Sequence, residues 1–330
     1  MVPGGPLRAK PWRGLPRAAA ALLLACAAAV GAQAQPPLAA PDGPSAAPRA
    51  PWSRMDVPGS APGRRVPVLR REASPDAAAP RVVVVPGSGC AGLGPIAPAY
   101  FAGLERAQVW VLHKPFTNPW VRTAPEGCGE AFARDDRPTR WQADALAALQ
   151  ALRASEPERP TWLVGISEGG DLLPALGQAL GGSLRGLVLL SASGLDPAET
   201  LRLQAQRIGR PEAWAEIRAA AASARSDDAL VHGRSLGHWR DLLAWRLFEP
   251  LTARPWAVWQ WWGDADELIP AEAHERFARE AAARPARLCV RRWPGADHGL
   301  HRPGAGAAQS QLWRALLAAT EAGGAACGPP

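Results

Sequence analysis

The chain has 330 residues, 47% hydrophobic and 20% charged, which excludes a disordered protein and is enough apolar material for a sizeable core. Its net charge of +7 suggests a nucleic-acid partner, but four of the positive charges lie within the first 17 residues. Without them the charge is +3, and the remaining Arg residues are scattered among Asp and Glu, so we expect no nucleic-acid binding.

The N-terminus has the three-part layout of an export signal over residues 1–34. Scattered basic residues precede an apolar run over 18–31, which ends at Ala32, Gln33 and Ala34, the small-residue pattern that a signal peptidase reads. An apolar run of about 14 residues is too short to cross a bilayer, which takes roughly 20. The sequence therefore predicts an exported protein, periplasmic or secreted, with no integral membrane span after processing.

An alternative for the N-terminus is open at Cys26. Residues 23–26 resemble a lipoprotein signal, in which the cysteine would carry the lipid and anchor the protein. Residues 35–51 are rich in Pro and Ala, which predicts a flexible lead-in. The rest of the chain, residues 52–330, is predicted to be one folded domain.

Within this domain, short apolar runs alternate with helical patterns. An opening hairpin is followed by strands without polar alternation, which is typical of a parallel sheet covered on both faces. The predicted strands are 55–57, 65–69, 82–85, 109–112, 162–166, 187–190, 257–262 and 287–291. The predicted helices are 141–154, 169–180, 271–283 and 307–321. This order indicates the α/β class, with a mostly parallel central sheet flanked by helices.

The segment between about residues 195 and 254 has no strand pattern. Helical stretches fill it, and they contain Trp214, Trp239 and Trp245. Because the segment follows a predicted central strand, we expect a helical cap insertion over the carboxyl edge of the sheet, where ligands bind to sheets of this kind.

The clearest chemical signal is the spacing of Gly165, Ser167 and Gly169, which fits G-x-S-x-G between a predicted strand and a predicted helix. A tight strand-to-helix turn crowds the backbone, so that side chains on either side of the serine would clash. The turn lifts the serine hydroxyl above the sheet and aims backbone N–H groups at a developing oxyanion. The context predicts a nucleophile elbow.

With this elbow the chain resembles the α/β-hydrolase fold family over about residues 52–321. In that family an acid follows a late strand and a histidine follows the last strand, in the order Ser, Asp or Glu, His. The stretch GDADELIP after the Trp-rich strand looks like the family's acid turn and makes Asp266 the acid, and His298 matches the family's base. Asp264 is the rival acid and His301 the rival base.

The resemblance implies the roles of these residues. His298 takes the proton of Ser167 as general base, because a free serine hydroxyl is a poor nucleophile at neutral pH. Asp266 orients the imidazole and stabilises its charged form.

The same resemblance implies an oxyanion hole made of two backbone N–H groups. Family members take one from the loop after an early strand and one from the residue after the nucleophile, which by position are the amides of Ser88 and Glu168. The family often has His-Gly at the start of this loop, whereas this sequence has Pro86 and Gly87.

Four cysteines remain after cleavage at Ala34, an even number that favours disulfides in an exported chain. Three pairings are possible, and the family's fold implies Cys90–Cys128 and Cys289–Cys327, because it brings each pair of loops or ends together. The sequence has no C-x-x-C motif, which argues against a zinc ribbon or a thioredoxin-type redox site. We expect no metal and no cofactor.

Together these features predict a serine hydrolase that cleaves a small carboxylic ester or related acyl substrate through an acyl-enzyme on Ser167. A peptidase or thioesterase of the same family is an alternative, since one fold carries many functions. A second alternative is a non-catalytic envelope protein on the same fold that binds a lipid or a partner. The sequence leaves the oligomeric state open.

Overall fold

The computed structural model describes residues 51–72, 79–156, 158–302 and 309–321. The predicted export signal, Cys26 and most of the predicted lead-in lie outside these residues. The strands of the described part are β1 (Trp52–Pro58), β2 (Arg65–Arg71), β3 (Arg81–Val85), β4 (Gln108–Leu112), β5 (Thr161–Ile166), β6 (Leu184–Leu190), β7 (Leu230–Val231), β8 (Arg234–Ser235), β9 (Ala257–Gly263) and β10 (Arg287–Trp293).

The helices that flank and connect these strands vary from one turn to nearly five. The α-helices of the described part are α1 (Ala97–Tyr100), α2 (Glu130–Asp135), α3 (Pro138–Ala154), α4 (Leu173–Leu180), α5 (Pro197–Arg207), α6 (Pro211–Ala221), α7 (Leu236–Ala244), α8 (Phe248–Thr252), α9 (Ala271–Ala281) and α10 (Gln309–Glu321). Short 3-10 helices span Pro125–Gly127, Ser167–Leu172 and Gly181–Ser183. No helix of the described residues is both long and apolar enough to span a membrane.

The larger sheet of the described residues has the order β1-β2-β4-β3-β5-β6-β9-β10. The predicted opening hairpin is confirmed, since β1 pairs with β2 and β2 with β4 in antiparallel fashion, whereas every later neighbour is parallel. The mostly parallel α/β class is therefore confirmed. The carboxyl ends of β3, β5, β6, β9 and β10 meet at one edge, and the predicted site residues follow these strands.

The central strands are mostly apolar because the sheet is buried on both faces. Along β3, Val83 and Val85 pack into one core, while Val82 and Val84 pack into the core on the opposite face. All four are fully buried. This alternation with a period of two residues is what the pleat of a strand imposes.

The segment between β6 and β9 is mostly helical and has a small core of its own around Ile217, Leu236 and Trp239. We call this segment, residues 195–254, the insertion. We expected no strands in this segment, and this prediction is wrong in one detail. Strands β7 and β8, of two residues each, pair as an antiparallel hairpin. Two residues per strand are too few to produce a readable alternation, which explains the miss.

Two further differences concern helices. The single helix predicted over 169–180 is divided into the 3-10 helix Ser167–Leu172 and α4, and α1 and α2 were not predicted. Gly169 and Gly170 weaken an α-helix at its start, and Pro174 sits in the first turn of α4, where a missing N–H does no harm.

Candidate active site

Ser167 follows the central strand β5 and has a positive φ of 51°, which is rare for a residue with a side chain. The glycines around it are required by close packing. A Cβ at Gly165 would lie 2.5 Å from the backbone nitrogen of Gly170, and one at Gly169 would lie 2.7 Å from the carbonyl oxygen of Pro86. Such strain at the end of a strand is typical of a functional position.

The loop after β3 lies directly against this serine. A Cβ at Gly87 would approach Ser167 Cβ to 3.1 Å, so only a glycine fits there without displacement. The backbone of Ser88 follows this contact, and Glu168 is the second residue of the 3-10 helix, where N–H groups lack helical acceptors. The two amides predicted for the oxyanion hole therefore belong to backbone segments on either side of the serine.

The acid and the base predicted from the sequence form a hydrogen-bonded pair. His298 Nδ1 lies 2.7 Å from Asp266 Oδ2, and Asp266 is only 3% exposed. Because a carboxylate only accepts, the proton of the neutral imidazole resides on Nδ1, which leaves the lone pair on Nε2. The second carboxylate oxygen accepts from the N–H groups of Leu268 and Ile269 at 2.7 and 2.9 Å, which fixes its orientation.

Ser191 connects this pair to the elbow. It follows β6, the strand next to β5, and the register pairs Ile166 with Leu190, so that Ser167 and Ser191 leave the sheet side by side. Ser191 Oγ donates to the carbonyl oxygen of His298 at 2.7 Å. Among the described residues no hydrogen bond joins Ser167 to His298. A serine hydroxyl rotates freely, and such bonds commonly tighten only when substrate is bound.

Hydrogen bonds between the loop after β9 and the loop after β10 hold the acid and base loops together. The Ala265 N–H donates to the carbonyl of Ala296 at 3.0 Å. The rival acid Asp264 points elsewhere, since it accepts from the side chain of Arg292 and from the Gly295 N–H. The rival base His301 is exposed and has no hydrogen bond to a carboxylate from its ring within the described residues.

The predicted disulfide Cys90–Cys128 is present, with sulfurs 2.06 Å apart, and attaches the loop after β3 to a segment 38 residues later. Backbone hydrogen bonds reinforce the attachment, from Gly92 N to Val121 O at 2.8 Å and from Gly94 N to Pro119 O at 2.7 Å. The other predicted bridge, Cys289–Cys327, includes a residue outside the described part of the chain.

His113 supports the same loop from the end of β4. Its Nε2 accepts from the Leu93 N–H at 3.1 Å, which requires the neutral imidazole. Burial lowers the pKa of His113 to about 4, so the ring stays neutral at physiological pH. The sequence offered no motif for this residue.

The insertion touches the acid turn. Arg207 of α5 donates to the carbonyl oxygen of Asp266 at 2.7 Å, and Gln204 donates to that of Glu267 at 3.0 Å. These contacts tie the backbone of the acid turn to the insertion.

A buried ionic cluster that sequence reasoning missed lies beside the nucleophile, and we call it the elbow cluster. Lys114 Nζ lies 2.5 Å from a carboxylate oxygen of Asp136 and 2.5 Å from one of Glu168. Arg234 of β8 lies 3.0 Å from Asp136 and 3.5 Å from Glu168. His238 of α7 completes the cluster, with Nδ1 2.9 Å from the Asp136 carbonyl oxygen. Lys114 is one of two lysines in the chain, and that rarity was the only available signal.

The pKa values in the elbow cluster are set by burial and by the opposing charges. Burial raises the pKa of Glu168, but the charges of Lys114 and Arg234 outweigh this effect and hold it below its usual value. The pKa of Asp136 is lowered in the same way. Burial lowers the pKa of His238 to about 4, and the charge of Arg234 adds to this. The cluster therefore contains two cations, two carboxylates and a neutral histidine.

Asp171 lies four residues after the nucleophile, and burial, followed by the charge of Glu168, raises its pKa well above the usual value. No group of three His, Cys, Asp or Glu in the described residues is arranged to bind a metal.

A cavity of about 820 Å³ lies between the insertion and α9, lined by Trp214, Arg218 and Phe248 among others. None of the three predicted triad residues lines it.

No protein-family model and no curated protein matches this sequence. Solved structures do: Est1E from Butyrivibrio proteoclasticus with ferulic acid bound has a TM-score of 0.58 at 13% identity, over 81% of this chain and 99% of that one. A putative hydrolase from Agrobacterium vitis S4 has a TM-score of 0.55 at 19% identity, over 82% of this chain and 98% of that one. A hormone-sensitive lipase from a metagenome library has a TM-score of 0.51 at 18% identity, over 82% of this chain and 86% of that one.

These similarities and the strand order agree with the resemblance inferred from the sequence. The protein has the α/β-hydrolase fold. At such identities the likeness concerns the fold, and function has to be argued from the residues of the site.

Proposed function

We propose that this protein is a serine hydrolase that cleaves carboxylic esters or related acyl substrates through an acyl-enzyme on Ser167. One observation carries the proposal. A serine held at positive φ at the end of a central strand stands next to Ser191, which holds the backbone of a histidine whose Nδ1 bonds a buried carboxylate. Few structural roles require this combination of strain and orientation.

In the proposed reaction His298 Nε2 accepts the proton of Ser167 as Oγ attacks the acyl carbon. The carbonyl oxygen becomes an oxyanion, which the amides of Ser88 and Glu168 stabilise. The bond to the leaving group then breaks, and the leaving group receives the proton from the imidazolium. Water repeats these steps on the acyl-enzyme and releases the carboxylic acid.

Asp266 has an orienting role in this scheme. Its carboxylate holds the proton on His298 Nδ1, so that Nε2 is the basic nitrogen, and its negative charge stabilises the imidazolium that forms. Its two backbone donors keep it aligned during the reaction.

The substrate class is proposed from the chemistry of the site and from the structural neighbours. Their names include a lipase, an acylaminoacyl peptidase and a puromycin-hydrolyzing peptidase, so that ester and amide bonds are both candidates for this chain. Esters are the first choice because an alkoxide is a better leaving group than an amide anion. A panel of acyl esters, thioesters and aminoacyl amides ranks the three classes.

Labelling with a fluorophosphonate probe tests the reaction type. The folded wild-type protein should be labelled, and the Ser167→Ala variant should not. Ser191→Ala is the matched control, because Ser191 also follows a central strand at positive φ, with φ 50°. We expect this variant to be labelled more slowly than the wild type, since it loses only the bond to His298. Labelling that survives Ser167→Ala would contradict the assignment of the nucleophile.

We also propose that the protein is exported. The disulfide Cys90–Cys128 supports this, because such bonds persist in oxidising compartments and are rare in the cytosol. The mass of the mature chain distinguishes cleavage after Ala34 from a lipidated Cys26. An unprocessed N-terminus on protein isolated from its native cells would count against export.

A further inference from the structure

We infer that Arg234 of the insertion is a positioning residue for the proposed reaction: with Lys114 it clamps the Glu168 carboxylate and so fixes the backbone N–H that Glu168 offers to the oxyanion. The inference rests on the proposed serine-hydrolase function. It assigns the insertion a part in the chemical step, through one side chain and without contact to the substrate.

The geometry of the clamp is the first support. Lys114 Nζ lies 2.5 Å from Glu168 Oε1, and Arg234 Nη1 lies 3.5 Å from Glu168 Oε2, so each carboxylate oxygen faces one cation. The two cations arrive from different parts of the chain, Lys114 from the end of β4 and Arg234 from β8. The carboxylate of Glu168 is thus paired with two cations, and a displacement of the Glu168 backbone would strain these contacts.

The electrostatic balance of the elbow cluster is the second support. Asp136 accepts from Lys114 at 2.5 Å and from Arg234 at 3.0 Å, so the two carboxylates share the same two cations. The side chains of Lys114 and Asp136 are 7% and 9% exposed, which keeps the pairing in a medium of low dielectric. Removal of Arg234 would leave two buried carboxylates facing one cation.

The ring of His238 is a further contact of Arg234. Because a carbonyl oxygen only accepts, His238 Nδ1 carries the proton and donates to the Asp136 carbonyl at 2.9 Å. Arg234 Nη1 lies 3.1 Å from His238 Nε2 and 3.4 Å from Nδ1, so the guanidinium packs against the ring. The guanidinium therefore has a neighbour on the insertion in addition to the two carboxylates.

The clamp acts on the same residue that offers the N–H to the oxyanion. The N–H proposed to bind the oxyanion and the clamped carboxylate belong to the same amino acid, so a rotation of the Glu168 backbone misaligns the donor. Loss of a whole oxyanion donor reduces turnover by about 10²–10³-fold in related chemistry, and misalignment of one should have a smaller effect. We expect about a tenfold decrease in kcat.

The main test compares Arg234→Met with the wild type in steady-state ester hydrolysis. We expect kcat to fall about tenfold while KM changes less than twofold, because the donor acts on the transition state. The same substitution is then made in a Glu168→Gln background, which keeps the backbone N–H but removes the negative charge. There the additional effect of Arg234→Met should be less than twofold, since the ionic partner is already gone.

Two controls separate positioning from the stability of the insertion. Arg240 of α7 bonds Ala221 O and Ser223 O within the insertion, and Arg240→Met should lower the melting temperature without the loss in kcat. Arg218 of α6 is exposed, and Arg218→Met should leave both unchanged. Arg234→Lys keeps the charge and should recover most of the activity.

The pH profile is a readout that a purely structural role would not move. The charged and titratable groups facing Glu168 are Lys114, Asp136, Asp171, Arg234 and His238. Without Arg234 the two carboxylates compete for Lys114, so protonation of one of them occurs at higher pH. The acidic limb of kcat in Arg234→Met should therefore move to higher pH than in the wild type and in Arg240→Met.

Failure of the positioning role can be distinguished from failure of the proposed function. If probe labelling does not depend on Ser167, the proposed function fails and the positioning role with it. If labelling depends on Ser167 but Arg234→Met keeps the wild-type kcat, or loses the same factor in the Glu168→Gln background, only the positioning role is overturned. Should Arg234→Met not fold, Glu168→Gln alone decides: about a threefold loss in kcat supports the clamp, and an unchanged kcat overturns it.

Discussion

Asp266 and Asp264 illustrate how much two residues of the same type can differ within one turn. Asp266 is buried and bonds His298 Nδ1, whereas Asp264 reaches outward to Arg292 and to a backbone N–H. The difference lies in their partners, since β10 offers Asp264 a surface arginine and the loop after β10 offers Asp266 the imidazole. A carboxylate that is buried, oriented by the backbone and bonded to an imidazole is the one suited to stabilise a positive charge.

The pair Asp266→Asn and Asp264→Asn tests this assignment at the residue scale. An asparagine in place of Asp266 would present an amide to His298 and favour the tautomer with the proton on Nε2, which is the wrong nitrogen for a base. We expect kcat to fall by about 10³–10⁴-fold, as for the equivalent change in serine proteases. Asp264→Asn should change kcat less than twofold. Comparable losses in the two variants, measured with the same ester, would contradict the assignment.

Sequence reasoning identified these residues because each follows a strand in a recognisable turn. It did not identify the elbow cluster, whose members are separated by 54 residues between Lys114 and Glu168 and by 98 between Asp136 and Arg234. No local spacing records such a meeting. Only the arrangement of β4, α2, β5 and the insertion in space brings the charges together.

At the scale of elements, the loop after β3 is held more firmly than a surface loop usually is. It carries the proposed oxyanion donor Ser88, and Gly87 packs on the nucleophile. The disulfide Cys90–Cys128 and the hydrogen bond from Leu93 to His113 fix its far end. A donor of this kind must be in place before the reaction, so the firm attachment is what the proposed oxyanion hole requires.

The double variant Cys90→Ala, Cys128→Ala tests the attachment. Opening a loop of 38 residues should lower the free energy of unfolding by about 3–4 kcal/mol, mainly because the unfolded chain gains freedom. Under conditions where the variant is folded, we also expect kcat to fall several-fold with little change in KM. Urea unfolding and ester hydrolysis measure the two effects.

Substitution is a better test than a reducing agent, because the latter would also reduce the bridge predicted between Cys289 and Cys327. A folded variant that reacts with the fluorophosphonate probe as fast as the wild type would show that the loop keeps its position without the disulfide. In that case the bridge would contribute to stability alone.

The elements that the sequence predicted well are long or uniformly apolar. Strand β3 consists of valines after its first residue, and α3 has 17 residues with a buried face, so both patterns are readable. The helices α1 and α2 have four and six residues, which is too short to show a period of 3.6. The disulfide pairing depended on the fold rather than on the spacing of the cysteines.

At the scale of the whole molecule, the site lies where separate parts of the chain meet. The loops at the edge of the sheet carry the proposed nucleophile and base, and the insertion supplies Arg207 to the acid turn and Arg234 to Glu168. The sequence predicted a helical insertion at this point but not its polar contacts. A change in the insertion is therefore expected to reach the site only where it displaces one of these two arginines.

Three buried histidines make the stability of the whole protein depend on pH. Burial lowers the pKa of His113 and His238 to about 4 and that of His274 to about 3, against about 6.5 in an unfolded chain. In the range from pH 6.5 to 4 the unfolded chain therefore binds more protons than the folded one. Each histidine stabilises the fold fully above pH 6.5, and this contribution is lost as the pH falls. Asp171 opposes them, because its raised pKa favours the folded state at lower pH.

We expect the free energy of unfolding to decrease as the pH is lowered from 7 to 5, by about 1.4 kcal/mol per pH unit for each net proton taken up. Urea unfolding followed by the fluorescence of the fifteen tryptophans measures this slope at constant ionic strength. His274→Phe should reduce the slope by about one proton, since Phe can retain the stacking on Trp262, whose ring centre is 4.7 Å away. An identical slope in the variant would contradict this expectation, because it would mean that His274 takes up its proton at the same pH in the folded and the unfolded chain. A protonated ring needs an acceptor for each nitrogen, whereas the Gln260 amide nitrogen, 3.3 Å from His274 Nδ1, only donates, and His274 Nε2 has no hydrogen-bond partner among the described residues.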